Sequence, residues 1–415
     1  MKFDKYAISD EIKKNLAQMG FQRPTDIQYK AIPSILKGED VMAVAQTGTG
    51  KTAAFAIPVI ARIHQTKTSS RTWGVKCLVM VPTRELAIQI GEVFNQLAKH
   101  TRVQTFALYG GVEQDLQIKK LQDGIDILIA TPGRMFDLIS QGHIRLDHIT
   151  TLILDEADRM LDLGFIKDIE GVKKRLTRKH QTLFFTATID KKIKRLAFSQ
   201  VNSAAIRIQI SPEDRVSRNV SHAVMFVEMD DKRFFLERYI KEHPEEKIIV
   251  FVRTKVRAER VFNAMARMDI ESVTIHGDKD QAERTLGMEA FRKGLRRILI
   301  ATDVSARGID VPDTTTVINY DLPTEPEYYV HRVGRTGRGV NKGIAISFCS
   351  PEEKEALLAI ENYLNAPIER LDVTRKEYQE TVILHGHGND VTALIEAHED
   401  HLRKKKKRKD HTVRK

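Results

Sequence analysis

Short apolar runs separated by stretches of helical spacing recur along the whole 415-residue chain. In the first half they are VMAVA (41–45), VKCLVMV (75–81), TFALY (105–109), IDILIA (125–130), TLILD (151–155) and QTLFFT (181–186). The second half repeats the theme with HAVMFVEM (222–229), KIIVFV (247–252), SVTIH (272–276), RRILIAT (296–302), TTVINY (315–320) and GIAISF (343–348). Runs this short and this apolar predict strands buried on both faces, and their alternation with helical patterns predicts parallel α/β sheets. Between the halves, SPEDRVSRNV (211–220) is polar and carries a proline, so it reads as a short flexible linker. The expected organisation is an α/β domain at 1–210, the linker at 211–220 and a second α/β domain at 221–368. After Glu369 the apolar patterning fades, and 369–415 is expected to be a polar to basic tail, mostly disordered. The length suits two domains rather than one compact core.

The net charge of +11 points to an anionic partner only weakly, because nine of residues 403–415 are Lys or Arg against one Asp, and most of the excess lies there. Such a block repels itself and is drawn to any polyanion. The chain has no 18-residue apolar run and no basic-then-apolar start, so neither a membrane span nor a secretory signal is expected and a cytoplasmic protein is. Cys77 and Cys349 both sit inside apolar runs, where a buried thiol is expected rather than a disulfide or a metal ligand. Four histidines, His385, His387, His398 and His401, fall among polar residues near the C-terminus, but their spacing matches no closed metal site.

Two strings carry chemistry. In AQTGTGKT (45–52), Gly48 and Gly50 let backbone N–H groups curl around phosphate oxygens, Lys51 reaches the outer phosphates and Thr52 offers a hydroxyl to Mg²⁺. Ala45 stands where the strict phosphate-loop pattern puts its first glycine, so this string alone would also suit an ordinary Gly-rich turn. The second string, LDEAD (154–158), decides the class. Apolar residues run directly into Asp155 and Glu156, as expected where a buried parallel strand ends at the ligand-binding edge of a sheet. The pair supplies the parts needed to hold and split a nucleoside triphosphate. No such loop comes after any strand of the second half, which offers arginines instead, in ARGID (306–310) and HRVGRTGRG (331–339). Arginines aimed at a triphosphate from a separate domain would stabilise transition-state charge only when the two domains meet.

With these strings go GFQRPTDIQ (20–28), PTRELA (82–87), GG (110–111), TPGR (131–134), TAT (186–188), FVRT (251–254), HGDKDQAER (276–284), TDVSARGID (302–310) and HRVGRTGR (331–338). In this order, from Phe3 to about residue 350, the chain resembles the DEAD-box RNA helicases of bacterial type. The resemblance implies two tandem RecA-like domains and an RNA-stimulated ATPase with ATP and Mg²⁺ as cofactors. It implies that Gln28 reads adenine, whose N6 and N7 suit an amide, that Phe3 stacks on the base, and that Thr25 supports the pocket. Gln46, Thr47, Gly48, Thr49, Gly50, Lys51 and Thr52 would cradle the phosphates. Asp155 would hold Mg²⁺ through water while Glu156 polarises the attacking water. Asp158, Thr186 and Thr188 would link the ATP site to domain closure; the family usually has serine at 186. Arg335 and Arg338 would be arginine fingers, His331 an interdomain contact and Asp310 a partner of the ribose hydroxyls.

For RNA the resemblance implies sugar and phosphate contacts from Thr83, Arg84, Gly111, Thr131, Gly133 and Arg134 in the first domain. In the second it implies Arg253, Gly277, Gln281, Arg284 and Thr302. None is an aromatic platform of the kind that reads bases, so binding to single-stranded RNA and short duplexes is expected to be largely sequence-independent. The implied function is local unwinding of short duplexes, or remodelling of ribonucleoprotein, by ATP-driven closure of two domains. An ATP-gated RNA clamp or assembly scaffold would carry the same motifs. A DNA helicase of related architecture is disfavoured by the adenine-reading segment. Likeness to bacterial members suggests a monomer acting on ribosomal or degradosome ribonucleoprotein.

Overall fold

The computed structural model describes residues 2–45, 48–68, 74–210, 216–217, 219–303, 313–337 and 342–386. They divide into two compact units, one covering the described residues up to 210 and the other those from 216 onward.

The first unit is built on seven strands: β1 Val41–Val44, β2 Cys77–Met80, β3 Thr105–Leu108, β4 Ile127–Ala130, β5 Thr151–Leu154, β6 Gln181–Thr186 and β7 Ile206–Gln209. They form one parallel sheet in the order β3-β4-β2-β5-β6-β1-β7. Alternate residues feed opposite faces, as the pleat requires. Cys77 and Val79 of β2 join one apolar layer with Phe55 and Phe94, while Leu78 and Met80 join the other with Met135 and Leu138. Helices therefore cover both faces, which explains why β2, β4 and β5 are apolar almost throughout.

The second unit has β8 Val220–Phe226, β9 Ile248–Val252, β10 Val273–Ile275, β11 Ile298–Thr302, β12 Thr316–Asn319, β13 Gly343–Cys349 and β14 Glu369–Leu371. Their order is β10-β11-β9-β12-β13-β8-β14, again parallel. At all seven positions this is the topology of the first sheet repeated. Helix starts are set by side chains that accept backbone N–H groups: Thr83 from Leu86, Asp190 from Ile193, Thr254 from Arg257 and Asp280 from Glu283. Both cysteines are buried and free. Burial pushes the Cys77 thiol well above its usual range and the Cys349 thiol up to about 11, so both are inert structural thiols.

Three expectations need correction. Val220, expected to close the linker, is the first residue of β8. The tail was expected from 369, yet Glu369–Leu371 pairs with β8 as an edge strand and Arg375–Gly386 forms a helix packed on the helix Lys232–Glu242. Its anchor is Tyr378, which lies 4.9 Å from the Phe235 ring and donates its hydroxyl to Asp231 at 2.8 Å. Third, Phe3 does not stand open for a base. It is 4% exposed, held in the core between Tyr6 and Phe21 at ring distances of 6.1 and 6.3 Å, because a buried aromatic ring gains more from that contact than from water. Residues 387–415, with most of the C-terminal histidines and the basic block, lie outside the described residues. No helix among the described residues is long and apolar enough to cross a membrane.

Candidate functional site

In the first unit every strand of the central sheet points its C-terminal end at one edge, and the expected site residues lie along it in two groups. Those following β5, β6 and β1 are the nucleotide candidates, and those following β3, β4 and β2 are the RNA candidates.

Lys51 is the first residue of the helix Lys51–Thr66, and the loop before it passes through Gly48 at φ 82° and Gly50 at φ 90°. These left-handed conformations are open to glycine at little cost. A Cβ on Gly50 would lie 2.4 Å from Gln28 Nε2 and 3.1 Å from Thr25 Oγ1. The loop is tied from behind by those same residues. Gln28 Nε2 donates to Gly50 O at 3.1 Å, Thr25 Oγ1 donates to Thr49 O at 2.8 Å, and the Thr25 N–H donates to Gln28 Oε1 at 3.0 Å. Gln28 is thus both the capping-box partner of the N-cap Thr25 in the helix Asp26–Leu36 and a clamp on the phosphate loop, and its amide has further donor and acceptor capacity beyond these two bonds.

The Lys51 ammonium is buried, and its Nζ has no hydrogen-bond acceptor among the described residues. A desolvated cation without an acceptor is costly, and here it sits at a helix N-terminus whose free N–H groups also favour an anion. Asp155 comes directly after β5, is 3% exposed and accepts the Glu156 N–H at 3.0 Å. Its carboxyl is pushed up to about 6, chiefly by burial, with the Lys51 ammonium working against the rise and the Glu156 carboxylate adding to it. A triphosphate with a divalent cation answers both demands, giving Lys51 its acceptor and Asp155 a counter-charge, with Thr52 one residue along the helix. Glu156 has φ 51°, a left-handed conformation unusual for a residue with a Cβ; it opens the helix Ala157–Asp162 and lies 3.6 Å from Arg159 Nη1. Backbone strain of this kind gathers at functional sites.

Asp158 connects this corner to the end of β6. Its Oδ2 accepts the N–H groups of Ala187 (3.2 Å) and Thr188 (3.0 Å) and the Thr188 hydroxyl (3.0 Å). Thr186 is fully buried and donates its hydroxyl to Thr188 O at 2.9 Å, so the methyl that distinguishes it from serine is packed inside.

On the other half of the edge, Thr83 caps the helix Arg84–Ala98 and Thr131 precedes the helix Pro132–Ser140. A Cβ on Gly110 would lie 3.4 Å from the Arg84 guanidinium, which therefore borders the Gly110–Gly111 turn, and nothing stands within 4 Å of the corresponding point on Gly133. Arg134 is tethered, donating to Val112 O at 3.1 Å and to the Gln117 amide oxygen, while Gln117 Nε2 donates to Tyr109 O at 3.1 Å. Gln117, 5% exposed, lies in no motif, yet it joins TPGR to the glycine turn.

In the second unit the RNA candidates again lie beyond the strands at one end. Arg253 comes after β9, Gly277 and the helix Gln281–Arg292 with Gln281 and Arg284 after β10, and Thr302 ends β11. From HRVGRTGR, Arg335 is 5% exposed and donates through Nε to His331 O at 3.0 Å. Arg332, which the motif reading passed over, is 1% exposed and grips Asp303 with both Nε (2.6 Å) and Nη2 (2.7 Å), and also donates to Asn319 Oδ1 and Asp321 O. It fastens the helix Pro326–Val333 to the segment that carries Thr302. Gln46, Thr47, Asp310 and Arg338 lie outside the described residues.

Family models give the same division. Residues 25–196 match the DEAD/DEAH box helicase domain and residues 231–340 the helicase conserved C-terminal domain. Over 374 residues the chain is 41% identical to the ATP-dependent RNA helicase RhlB of Shewanella oneidensis, covering 88% of this chain and 84% of that one. The chain belongs to the DEAD-box RNA helicases. Among this family it is also 39% identical over 372 residues to CshA of Bacillus cereus, covering 89% of this chain and 69% of CshA. Its structure is similar to that of S. cerevisiae Dbp5 bound to RNA and ADP BeF3, with a TM-score of 0.81, 30% identity and coverage of 93% of this chain and 98% of Dbp5. A form of Mss116p bound to ssRNA and AMP-PNP has a TM-score of 0.82 and 28% identity, covering 93% of this chain and 82% of that one. The fold is therefore two tandem RecA-like domains, and the protein is a helicase-family ATPase.

Proposed function

We propose that this helicase separates short RNA duplexes, or remodels ribonucleoprotein, by closing its two units on single-stranded RNA in an ATP-dependent step. The observation that carries this reading is the buried Lys51 ammonium, which lacks an acceptor among the described residues and stands at the start of the helix Lys51–Thr66. Lys51 takes the charge of the outer phosphates, and Glu156 orients and polarises the attacking water. Thr52 and, through water, Asp155 would hold a Mg²⁺ ion, which when bound supplies neutralisation of phosphate charge. Gln28 offers its remaining donor and acceptor capacity to adenine while clamping the loop. Arg335 and Arg338 meet the transferred phosphoryl group, Asp310 meets the ribose, and His331 contacts the first unit, all only on closure.

RNA is held along its backbone by the two groups of small, hydroxyl-bearing and arginine residues, so sequence preference is weak. ATP and RNA both favour the closed arrangement, and each raises the affinity of the other through that shared equilibrium. Asp158, which bridges the acidic motif to Thr188, passes the state of the nucleotide to the rest of the edge. The protein acts as a monomer in the cytoplasm, and ribosomal or degradosome ribonucleoprotein is the natural substrate class.

The experiment is RNA titration of Glu156→Gln with and without ATP. Turnover is abolished while ATP still tightens RNA binding; equal affinity in both conditions would contradict the coupling. A strand-displacement assay on a short tailed duplex then separates unwinding from clamping, since a clamp retains RNA without releasing the partner strand.

A further inference from the structure

The repeated topology puts Lys232 where Lys51 stands. Each is the first residue of the helix that comes after the first strand of its sheet, and each sheet has an acid just beyond its middle strand, Asp155 after β5 and Asp321 after β12 and Tyr320. The surroundings differ completely. Lys232 is fully buried and satisfied, donating to Tyr320 O at 2.8 Å and to the Glu353 carboxylate, with Asp321 Oδ1 3.7 Å away.

Glu353 occupies the place of an anion. It is 2% exposed, in the turn after β13, and its two oxygens receive the backbone N–H of Leu322 (3.0 Å), the backbone N–H of Ser350 (3.1 Å), the Lys232 ammonium and the Arg253 guanidinium (2.9 Å). Backbone amides combined with a lysine at a helix start are the donor set that suits phosphate in the first unit; here the protein's own carboxylate fills it. Arg253 is the member that reaches outside. Its side chain is 43% exposed, one nitrogen is committed to Glu353 and Leu322 O, and its backbone N–H is held by Asp321 Oδ2 at 3.1 Å.

We infer that the second unit's counterpart of the nucleotide cradle has become an internal anion site, in which Glu353 and Lys232 are positioning residues that aim the Arg253 guanidinium at RNA phosphate. Held by Nη2, the guanidinium presents its other N–H groups in a fixed fork instead of sampling rotamers. The inference rests on the reading that Arg253 grips the RNA backbone.

The test uses the full chain and measures affinity for a single-stranded RNA in the presence of a non-hydrolysable ATP analogue, together with the KM for ATP. Arg253→Ala is expected to weaken RNA binding about tenfold, the loss of one charge-assisted contact. Glu353→Gln is expected to weaken it by a similar or smaller factor with the KM for ATP unchanged, and to add nothing in the Arg253→Ala background. Should Glu353→Gln fail to fold with its lysine uncompensated, Lys232→Met combined with Glu353→Gln removes both charges together and carries the same expectation. If Arg253→Ala binds RNA normally, the RNA reading of Arg253 falls and the inference with it. If Arg253→Ala is weak but the Glu353 change has no effect, or its effect multiplies in full with that of Arg253→Ala, the inference alone is overturned.

Discussion

Lys51 and Lys232 hold one position in two sheets of matching strand order, yet one ammonium is buried with no acceptor among the described residues and the other is saturated by its own chain. The difference lies in the turn beyond the strand that neighbours each first strand. After β6 the chain turns through Thr186–Thr188 and its hydrogen bonds go to Asp158, so it brings no carboxylate to Lys51. After β13 the turn returns Glu353 onto Lys232. The same backbone plan thus leaves a buried ammonium without an acceptor among the described residues in one unit and makes a structural cross-link in the other. The RNA candidates occupy the matching half of each sheet, which needs no such distinction.

Replacing each lysine by methionine separates the two roles. Lys51→Met should lower ATP turnover by about 10²–10³-fold, the cost of losing one preorganised charge, while leaving the melting temperature unchanged or raised, because an unsatisfied buried charge is removed. Lys232→Met should do the reverse, destabilising the second unit by about 1–3 kcal/mol, because Glu353 loses one of its two cations and keeps Arg253 while Asp321 keeps Arg257, with nucleotide binding in the first unit preserved. Calorimetry and a steady-state ATPase assay on both variants check this pair.

Gly50→Ala probes the loop. Its Cβ would collide with Gln28 Nε2 at φ 90°, so the clamp must shift. The KM for ATP should rise about tenfold for roughly 1–2 kcal/mol of strain. Asp158→Asn gives up the charge in three hydrogen bonds to the Ala187–Thr188 turn, at about 1 kcal/mol or more. ATP binding should persist while stimulation of turnover by RNA falls, as seen in an ATPase titration against RNA. The smallest effect is expected from deleting residues 403–415, which removes nine basic side chains. RNA affinity should weaken modestly and its dependence on salt become shallower, with ATP turnover at saturating RNA unchanged.

How much of this could be read from the chain depends on where the partner of each residue lies. The twelve apolar runs all became strands, most plainly β2, β4, β5, β6, β9, β11 and β12, which are buried at every position and so must be apolar almost throughout. The two strands not foreseen, β7 and β14, lie at sheet edges. In β7 only Ile208 is buried, and in β14 Glu369 and Arg370 are exposed, so neither shows a continuous apolar run. Missing β14 moved the expected end of the second domain too early. The nucleotide motifs were legible because their spacing is local. The role of Gln28 as a clamp on Gly50, Gln117 as a bridge to Arg134 and Glu353 as an internal anion was not, since Lys232 and Glu353 meet across 121 positions of sequence and neither belongs to a motif. The resemblance made Phe3 a base-stacking ring, while by itself it would be an N-terminal core anchor, and its packing between Tyr6 and Phe21 is that of the anchor.

On this reading, one of two equivalent cradles takes nucleotide while the other is filled from within. Counting bound ATP analogue per full-length chain by isothermal titration tests it directly. One site per chain is expected, lost in Lys51→Met; a second equivalent bound by the natural protein, or binding that survives Lys51→Met undiminished, would contradict it.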